Sequence, residues 1–219
     1  MIENSRPEVL EDYTAALRDP LGAGRPAGSP GGHATRKETP AMTQPSPGTP
    51  SVAPVPPGTY RLDPARSTIR VDVKTFLGLM TVHGSFQLES GQVIIAADPL
   101  TSTAQAVIDA RNFASGNTIR DHDVISADLL DASTYPTITF ISTRVRPDGA
   151  SWVMSGSVTA RGTSADVEIR VREARMEEGG AARFRANATL DRTSFGLTKR
   201  KNMISQMVEV VIEAIGVPI

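Results

Sequence analysis

The chain holds three histidines and no cysteine, which sets narrow limits on the chemistry it could perform. His122 lies between Asp121 and Asp123, with Asp128 further along, and this is the densest group of possible metal ligands. On a helix, neighbours such as Asp121 and His122 leave on different faces, which is poor geometry for ligands of one ion. The better reading is a capped, solvated helix in which Arg120 pairs locally with the acids. His83 falls in an alternating run beside Val82 and Phe86, with no second ligand one or two residues away, and reads as an exposed strand residue. Without cysteine, thiol catalysis, disulfides and Cys-based zinc sites are excluded. No serine sits in a nucleophile-elbow sequence, and no glycine motif for phosphates occurs. The residues therefore point away from catalysis and from any metal or required cofactor.

One basic run remains, Lys199-Arg200-Lys201, with Phe195 and Leu197 before it and Met203 after it. It reads either as a solvated loop or as a rim where cations meet an anionic head group or a membrane surface. Six phenylalanines, at 76, 86, 113, 140, 184 and 195, all lie beyond residue 58, as do Leu77, Leu79, Met80, Trp152 and Met154. Taken singly, each is as well read as ordinary core. Together they could line a tunnel for a long hydrocarbon, whose burial contributes roughly 0.8 kcal/mol per methylene.

The elements that would position these residues occupy only part of the chain. Ten of the sixteen prolines and six glycines lie between Pro20 and Pro57, with no apolar periodicity. Residues 1–57 are expected to be a disordered tail, because such a stretch buries too little surface to offset the entropy of ordering. Within it, residues 7–18 have helical spacing, and read as a transient helix or a short docking segment. Met42, between two Gly/Pro tracts, is an alternative start. No run is long and apolar enough to cross a bilayer as a helix, and the first residues lack a basic region followed by an apolar one. A cytoplasmic location is expected on that ground. From Thr59 onward, 18 basic side chains balance 18 acidic ones, so there is no general attraction to nucleic acid.

From Tyr60 the texture becomes alternating. Ile69, Val71 and Val73 form one row; Val82, Gly84, Phe86 and Leu88 another; Ala104, Ala106 and Ile108 a third. Further rows are Ile138 and Phe140, Val167 to Val171, Phe184 to Leu190, and Val208 to Ile212. Turn signals separate them, such as Ser90-Gly91, Asp98-Pro99, Arg161-Gly162 and Gly179-Gly180. Seven or eight long strands predict an all-β, closed antiparallel barrel, because closure removes exposed edges. Alanines in the inward rows favour an internal space over a packed sandwich. Residues 115–130 break the pattern. Ile119, His122, Val124 or Ile125, and Leu129 have helical spacing, with Asn117 or Thr118 as cap. A short helix inserted between strands, covering one barrel end, is expected.

At this segment the sequence resembles the YceI-like, polyisoprenoid-binding domain family. Arg120-Asp121-His122-Asp123 is similar to its RDxHL element, and Asp131 through Phe140, DASTYPTITF, to the strand entry that follows. In the same order, Gly58 to Asp63 resembles the opening strand, and Val82 to Phe86 the VxGxF strand. Gly156 to Gly162 resembles the GxLTxRG hairpin, and Asp191 to Leu197 the RxxFGL element. The resemblance covers residues 58–219. Two departures stand out: Arg66-Ser67 replaces a His-Ser pair, and Lys74 to Gly78 lacks the histidine of a Lys-His-Leu-Gly stretch.

The resemblance implies a lipocalin-like barrel whose lumen holds a polyisoprenoid, either an isoprenoid quinone or a polyprenyl phosphate. The expected tunnel residues on the first strands are Phe76, Leu79, Phe86, Ile108 and Phe113. The inserted helix and the next strands supply Ile119, Leu129, Phe140, Trp152 and Met154. Phe184 and Phe195 complete the apolar set, and Lys199 and Arg200 are expected at the polar end. An enzyme acting on such a lipid, with His122 or His83 as acid/base, and a packed structural barrel are the alternatives. Transient contact with a membrane surface and pairing of two copies of the chain are further expectations.

Overall fold

The computed structural model describes residues 55–75, 78–200 and 203–219. The expected tail, with its helix over 7–18, therefore lies outside the described residues except for Val55–Pro57.

Nine antiparallel strands follow in chain order. They are β1 (Gly58–Leu62), β2 (Thr68–Thr75), β3 (Met80–Ile95), β4 (Thr103–Ala114), β5 (Thr137–Asp148), β6 (Ser151–Ala160), β7 (Thr163–Met176), β8 (Ala182–Asp191) and β9 (Ile204–Pro218). One helix, α1 (Thr118–Ile125), lies between β4 and β5. From β2 the sheet runs through β9, β8, β7, β6, β5 and β4, and a β3–β4 pairing closes it. Strand β1 pairs with both β3 and β9, as β2 does further along. Thus β1 and β2 form one stave, interrupted by a turn at Pro64–Arg66, and the barrel has eight staves.

Closure needs strongly bent strands. Register shifts occur on β3 between Ser85 and Gln87 and between Leu88 and Ser90, on β5 between Ser142 and Arg144, and on β7 between Val171 and Glu173. Bulges of this kind bend a strand and increase its twist.

The period-2 rows face inward. Leu62, Ile69, Leu88, Phe140, Val158, Val167, Ile169, Ala188, Phe195 and Val210 belong to one buried cluster. A second cluster of Val55, Tyr60 and Ala182, flanked by Ile95, Met176 and Phe184, sits where β1 enters. Val55 is buried and the Tyr60 hydroxyl donates to the Pro56 carbonyl at 2.8 Å. Packing therefore begins before Gly58.

Two glycines of the family-like motifs have a steric role. A Cβ at Gly84 would lie 2.2 Å from Phe113 Cζ, so the ring of β4 lies directly on the β3 backbone. A Cβ at Gly156 would lie 2.5 Å from the Phe140 ring and from the Ile141 carbonyl oxygen. Both aromatic rings depend on a missing side chain on the adjacent strand.

Candidate functional site: an apolar lumen with one decorated end

The turns β2–β3, β6–β7 and β8–β9 and the α1 segment all fall at one end of the barrel. Asn117 caps α1, its side chain accepting from the Arg120 N–H at 3.1 Å. Asp121 turns back onto Ser115, accepting from its N–H at 2.9 Å. After the helix the chain is pinned by the turn that follows β6, the strand next to the one it enters. The Arg161 guanidinium donates to the Leu129 carbonyl at 2.8 Å and the Ala127 carbonyl at 2.9 Å. Arg161 and Gly162 both have positive φ, and a Cβ at Gly162 would lie 2.7 Å from the Tyr135 ring. The β6–β7 turn thus seats the segment carrying Leu129, Leu130 and Ala132, all buried.

The β8–β9 segment is held by Arg192, which is only 6 % exposed. Its guanidinium donates to the carbonyls of Ser205 at 2.9 Å, Lys199 at 3.1 Å and Ile204 at 3.1 Å, and to that of Leu197. Burial pushes the Arg192 pKa down, opposed by the neighbouring Asp191 charge. Gly196 ends the turn Arg192–Phe195 with φ 74°, a left-handed conformation that favours glycine.

Between these elements lies a cavity of about 600 Å³. The walls come from the inward rows, among them Val71, Leu88, Ile108, Phe140, Ile169 and Val210. The polar side chains on its border are few: Ser67 and Glu213 low in the barrel, and Thr75, Asn117, Arg120, Asp123, Arg192 and Arg200 toward the α1 end. At that end Met80, Ile119 and Met203 border the cavity yet are 57 %, 79 % and 48 % exposed, so the lumen communicates with solvent there. At the other end, Phe184 and Tyr60 meet edge to face with centroids 6.3 Å apart, and the second cluster fills the barrel.

The sequence-expected residues divide by their height in the barrel. Phe86, Ile108, Phe113, Ile119, Leu129, Phe140, Phe195 and Arg200 border the cavity. Phe86 and Phe113 form a tilted aromatic pair with centroids 5.0 Å apart. Phe76 and Lys201 lie outside the described residues. Met154 and Phe184 pack against the main core but do not border the space, and Trp152 lies one inward position further from the α1 end. Met154 and Phe184 belong to the filled part of the barrel, which the alternating pattern cannot tell from the open part. Leu79 is 86 % exposed at the tip of the β2–β3 turn, outside the cavity. Lys199 also stands outside it, with its ammonium 3.9 Å from Asp128. Arg200 pairs with Asp123 of α1 at 2.8 Å, an ion pair that joins the helix to the β8–β9 segment.

Sequence reasoning missed Arg120, Asp123 and Arg192 on the cavity border. Arg120 does not pair with its flanking acids as expected. Its Nε donates to the Ser115 hydroxyl at 2.7 Å, because Asp121 already faces Ser115 and Asp123 faces Arg200. The only sequence signal for Arg192 was its place in the RxxFGL element.

Neither His83 nor His122 borders the cavity. His83 lies on the outer wall, its Nδ1 2.8 Å from Asp72 directly across on β2. The carboxylates around His122 are turned to separate partners: Asp121 to Ser115, Asp123 to Arg200 and Asp128 toward Lys199. Among the described residues, no three His, Asp or Glu side chains converge as metal ligands do.

The architecture is thus a closed antiparallel barrel with an apolar interior, open at one end where its polar border is concentrated. The sequence comparison gives the family: the model of the YceI-like domain matches residues 60–215, and the chain belongs to that family. A UPF0312 protein of Pseudomonas putida is 30 % identical over 165 residues, covering 72 % of this chain and 85 % of its own. A UPF0312 protein of Pectobacterium atrosepticum is 28 % identical over 149 residues, 64 % of this chain and 76 % of that one. Among solved structures, Burkholderia cenocepacia BcnA superposes with a TM-score of 0.64 at 23 % identity, covering 71 % of this chain and 99 % of BcnA. A polyisoprenoid binding domain from Saccharophagus degradans gives 0.56 at 18 % identity, covering 73 % and 98 %. At these identities the two structures share the fold.

Proposed function

We propose that this protein binds and carries one long-chain amphipathic lipid, an isoprenoid quinone or polyprenyl phosphate, with its tail in the lumen and its head at the α1 end. The carrying observation is the cavity of about 600 Å³ walled by aliphatic and aromatic side chains, with its polar border concentrated at the open end. An apolar tail gains free energy along its length in such a space, roughly 0.8 kcal/mol per methylene. A charged or polar head would lose its hydration inside and so belongs at the rim. The structural likeness to a polyisoprenoid binding domain supports the same class of ligand. The reading requires no catalytic group and no cofactor besides the carried lipid.

Organic extraction of the purified full chain, followed by mass spectrometry, tests the reading. One isoprenoid per chain is expected, and Phe140→Asp should abolish its retention by placing a charge in the lumen wall. Absence of lipid from the native protein, together with no uptake of any prenol or quinone by stripped protein, would sink the proposal.

An anionic head would meet Arg120 and Arg200, with Asp123 competing for Arg200. Arg200→Glu should therefore weaken a polyprenyl phosphate at low salt and leave a neutral quinone nearly unchanged. Equal effects on both would remove the rim from head-group recognition.

A further inference from the structure

Resting on the lipid-holding reading above, we infer that the ion pair between Asp123 and Arg200 is a strap across the mouth of the lumen, which must part for lipid to enter or leave. The strand order supplies the first observation. The β4–β5 connection, which carries α1, and the β8–β9 connection lie on opposite sides of the opening. Strands β7 and β6 separate them one way round the barrel, and β2 and β3 the other. Asp123 and Arg200 both border the cavity. The Arg200 guanidinium meets the Asp123 carboxylate through two N–H groups, at 2.8 Å and 3.0 Å, so the contact reaches over the opening rather than along its edge. A two-pronged pair of this kind fixes direction as well as distance. Lys199 and Asp128, 3.9 Å apart, join the same two connections.

The two sides are built differently. The β8–β9 side is a fixed post. Buried Arg192 donates to the Lys199 carbonyl at 3.1 Å, next to Arg200 in the chain. The Arg200 carbonyl accepts from the Met203 N–H at 2.9 Å and the Ile204 N–H at 3.0 Å. Arg200 itself holds a φ of 57°, a left-handed conformation that a residue with a side chain keeps only where its surroundings impose it.

The α1 side is a flap. None of the eight residues of α1 is buried. Its ends are held, at one by Asp121 on the Ser115 N–H at 2.9 Å and at the other by the buried Leu129 and Leu130. Among the described residues, the one ion pair that α1 makes is that with Arg200. An element with so little buried surface opens locally at low free-energy cost, and the tie on its free side then sets how often it does so. Asp123 and Arg200 stand at the mouth, clear of the aliphatic wall deeper in the barrel. Parting them therefore changes entry and exit alike and leaves the affinity for a neutral lipid where it was.

The experiment follows entry and exit of a fluorescent neutral prenol in full-length protein by stopped flow. In Asp123→Asn both rates should rise together by about two- to fivefold, the scale of one partly exposed ion pair, with the equilibrium affinity unchanged. The gap from wild type should narrow at high salt, which screens the pair. The chain has no cysteine, so Asp123→Cys with Arg200→Cys can be bridged selectively by a short bis-maleimide that contains a reducible disulfide. Bridging should slow both rates by about tenfold or more, and reduction should restore them. Exchange as fast in the bridged protein as after reduction, or rates in Asp123→Asn equal to those of wild type, overturns the strap and leaves lipid binding standing. A change confined to exit makes Asp123 a binding contact and overturns it equally. Failure of the prenol to bind wild-type protein overturns both readings.

Discussion

Arg192 and Asp191 show how two adjacent charges do different structural work. Arg192 is a buried cation satisfied by four main-chain carbonyls, with no carboxylate paired to it among the described residues. Removing it leaves those carbonyls without their donor, which costs on the order of 2–4 kcal/mol before the segment relaxes. Arg192→Met should lower the melting temperature by several degrees and expose Lys199 and Arg200 to trypsin. Unchanged melting and unchanged trypsin resistance would count against this role. Asp191 accepts from the Thr193 hydroxyl at 2.6 Å, the Gln206 amide at 2.8 Å and the Thr193 N–H at 2.8 Å. The Thr193 hydroxyl, then the Gln206 amide and the Thr193 backbone, hold its carboxyl below the ordinary value near 3.8. A carboxyl whose pKa is depressed on folding stabilises the fold above its unfolded pKa, and that contribution is lost as pH falls through the folded value. Glu177, lowered mainly by its bond to Arg183, and Asp109, lowered mainly by its bond to Arg111, act with the same sign. The stability gap between wild type and Asp191→Asn should thus be fullest above about pH 5 and shrink toward about pH 2. Thermal melts across that range check it, and a gap independent of pH would exclude the carboxylate as its source.

At the scale of elements, the sequence was informative wherever side chains alternate. The rows at Ile69 to Val73, Val82 to Leu88 and Val208 to Ile212 face the lumen as their spacing predicts, since a one-residue slip would turn each row outward. Helix α1 was legible too, because Asn117 caps it and Ile119, Val124 and Leu129 all border the cavity. What alternation cannot encode is height. Met154, Phe184 and Leu190 all share the inward direction, yet only Leu190 borders the space. That difference arises from contacts between distant segments, such as Tyr60 against Phe184. Arg161 is another long-range case: its motif was visible, but its partners lie at residues 127 and 129. Arg161→Ala should speed amide exchange over residues 126–135 more than in strands β7 and β8. A uniform rise across the barrel would instead mean that Arg161 supports the whole fold.

For the whole molecule, the open end differs from a sealed core in one respect that matters for exchange of lipid. Leu79 at 86 %, Ile119 at 79 %, Met80 at 57 % and Met203 at 48 % exposure come from three separate segments around that end. Side chains this exposed contribute little to folding, so their replacement should leave the melting temperature nearly unchanged. Apolar groups around an apolar opening shorten the wet path of a tail moving between a bilayer and the lumen, and this follows from the carrier reading proposed above. Among the described side chains nearby, Lys199 pairs with Asp128 and Arg200 with Asp123, which offsets part of the positive charge of the basic run. The double substitution Leu79→Ser with Ile119→Ser should slow transfer of a fluorescent prenol from zwitterionic vesicles by about tenfold, since each buried apolar side chain contributes roughly 1.5–3 kcal/mol when taken from water. Equilibrium occupancy at saturating prenol should stay close to the wild type, because most of the tail's contacts lie deeper, at Phe140, Ile169 and Val210. If transfer is as fast in the double variant as in the wild type, the lipid crosses water free of the protein and this rim takes no part in loading.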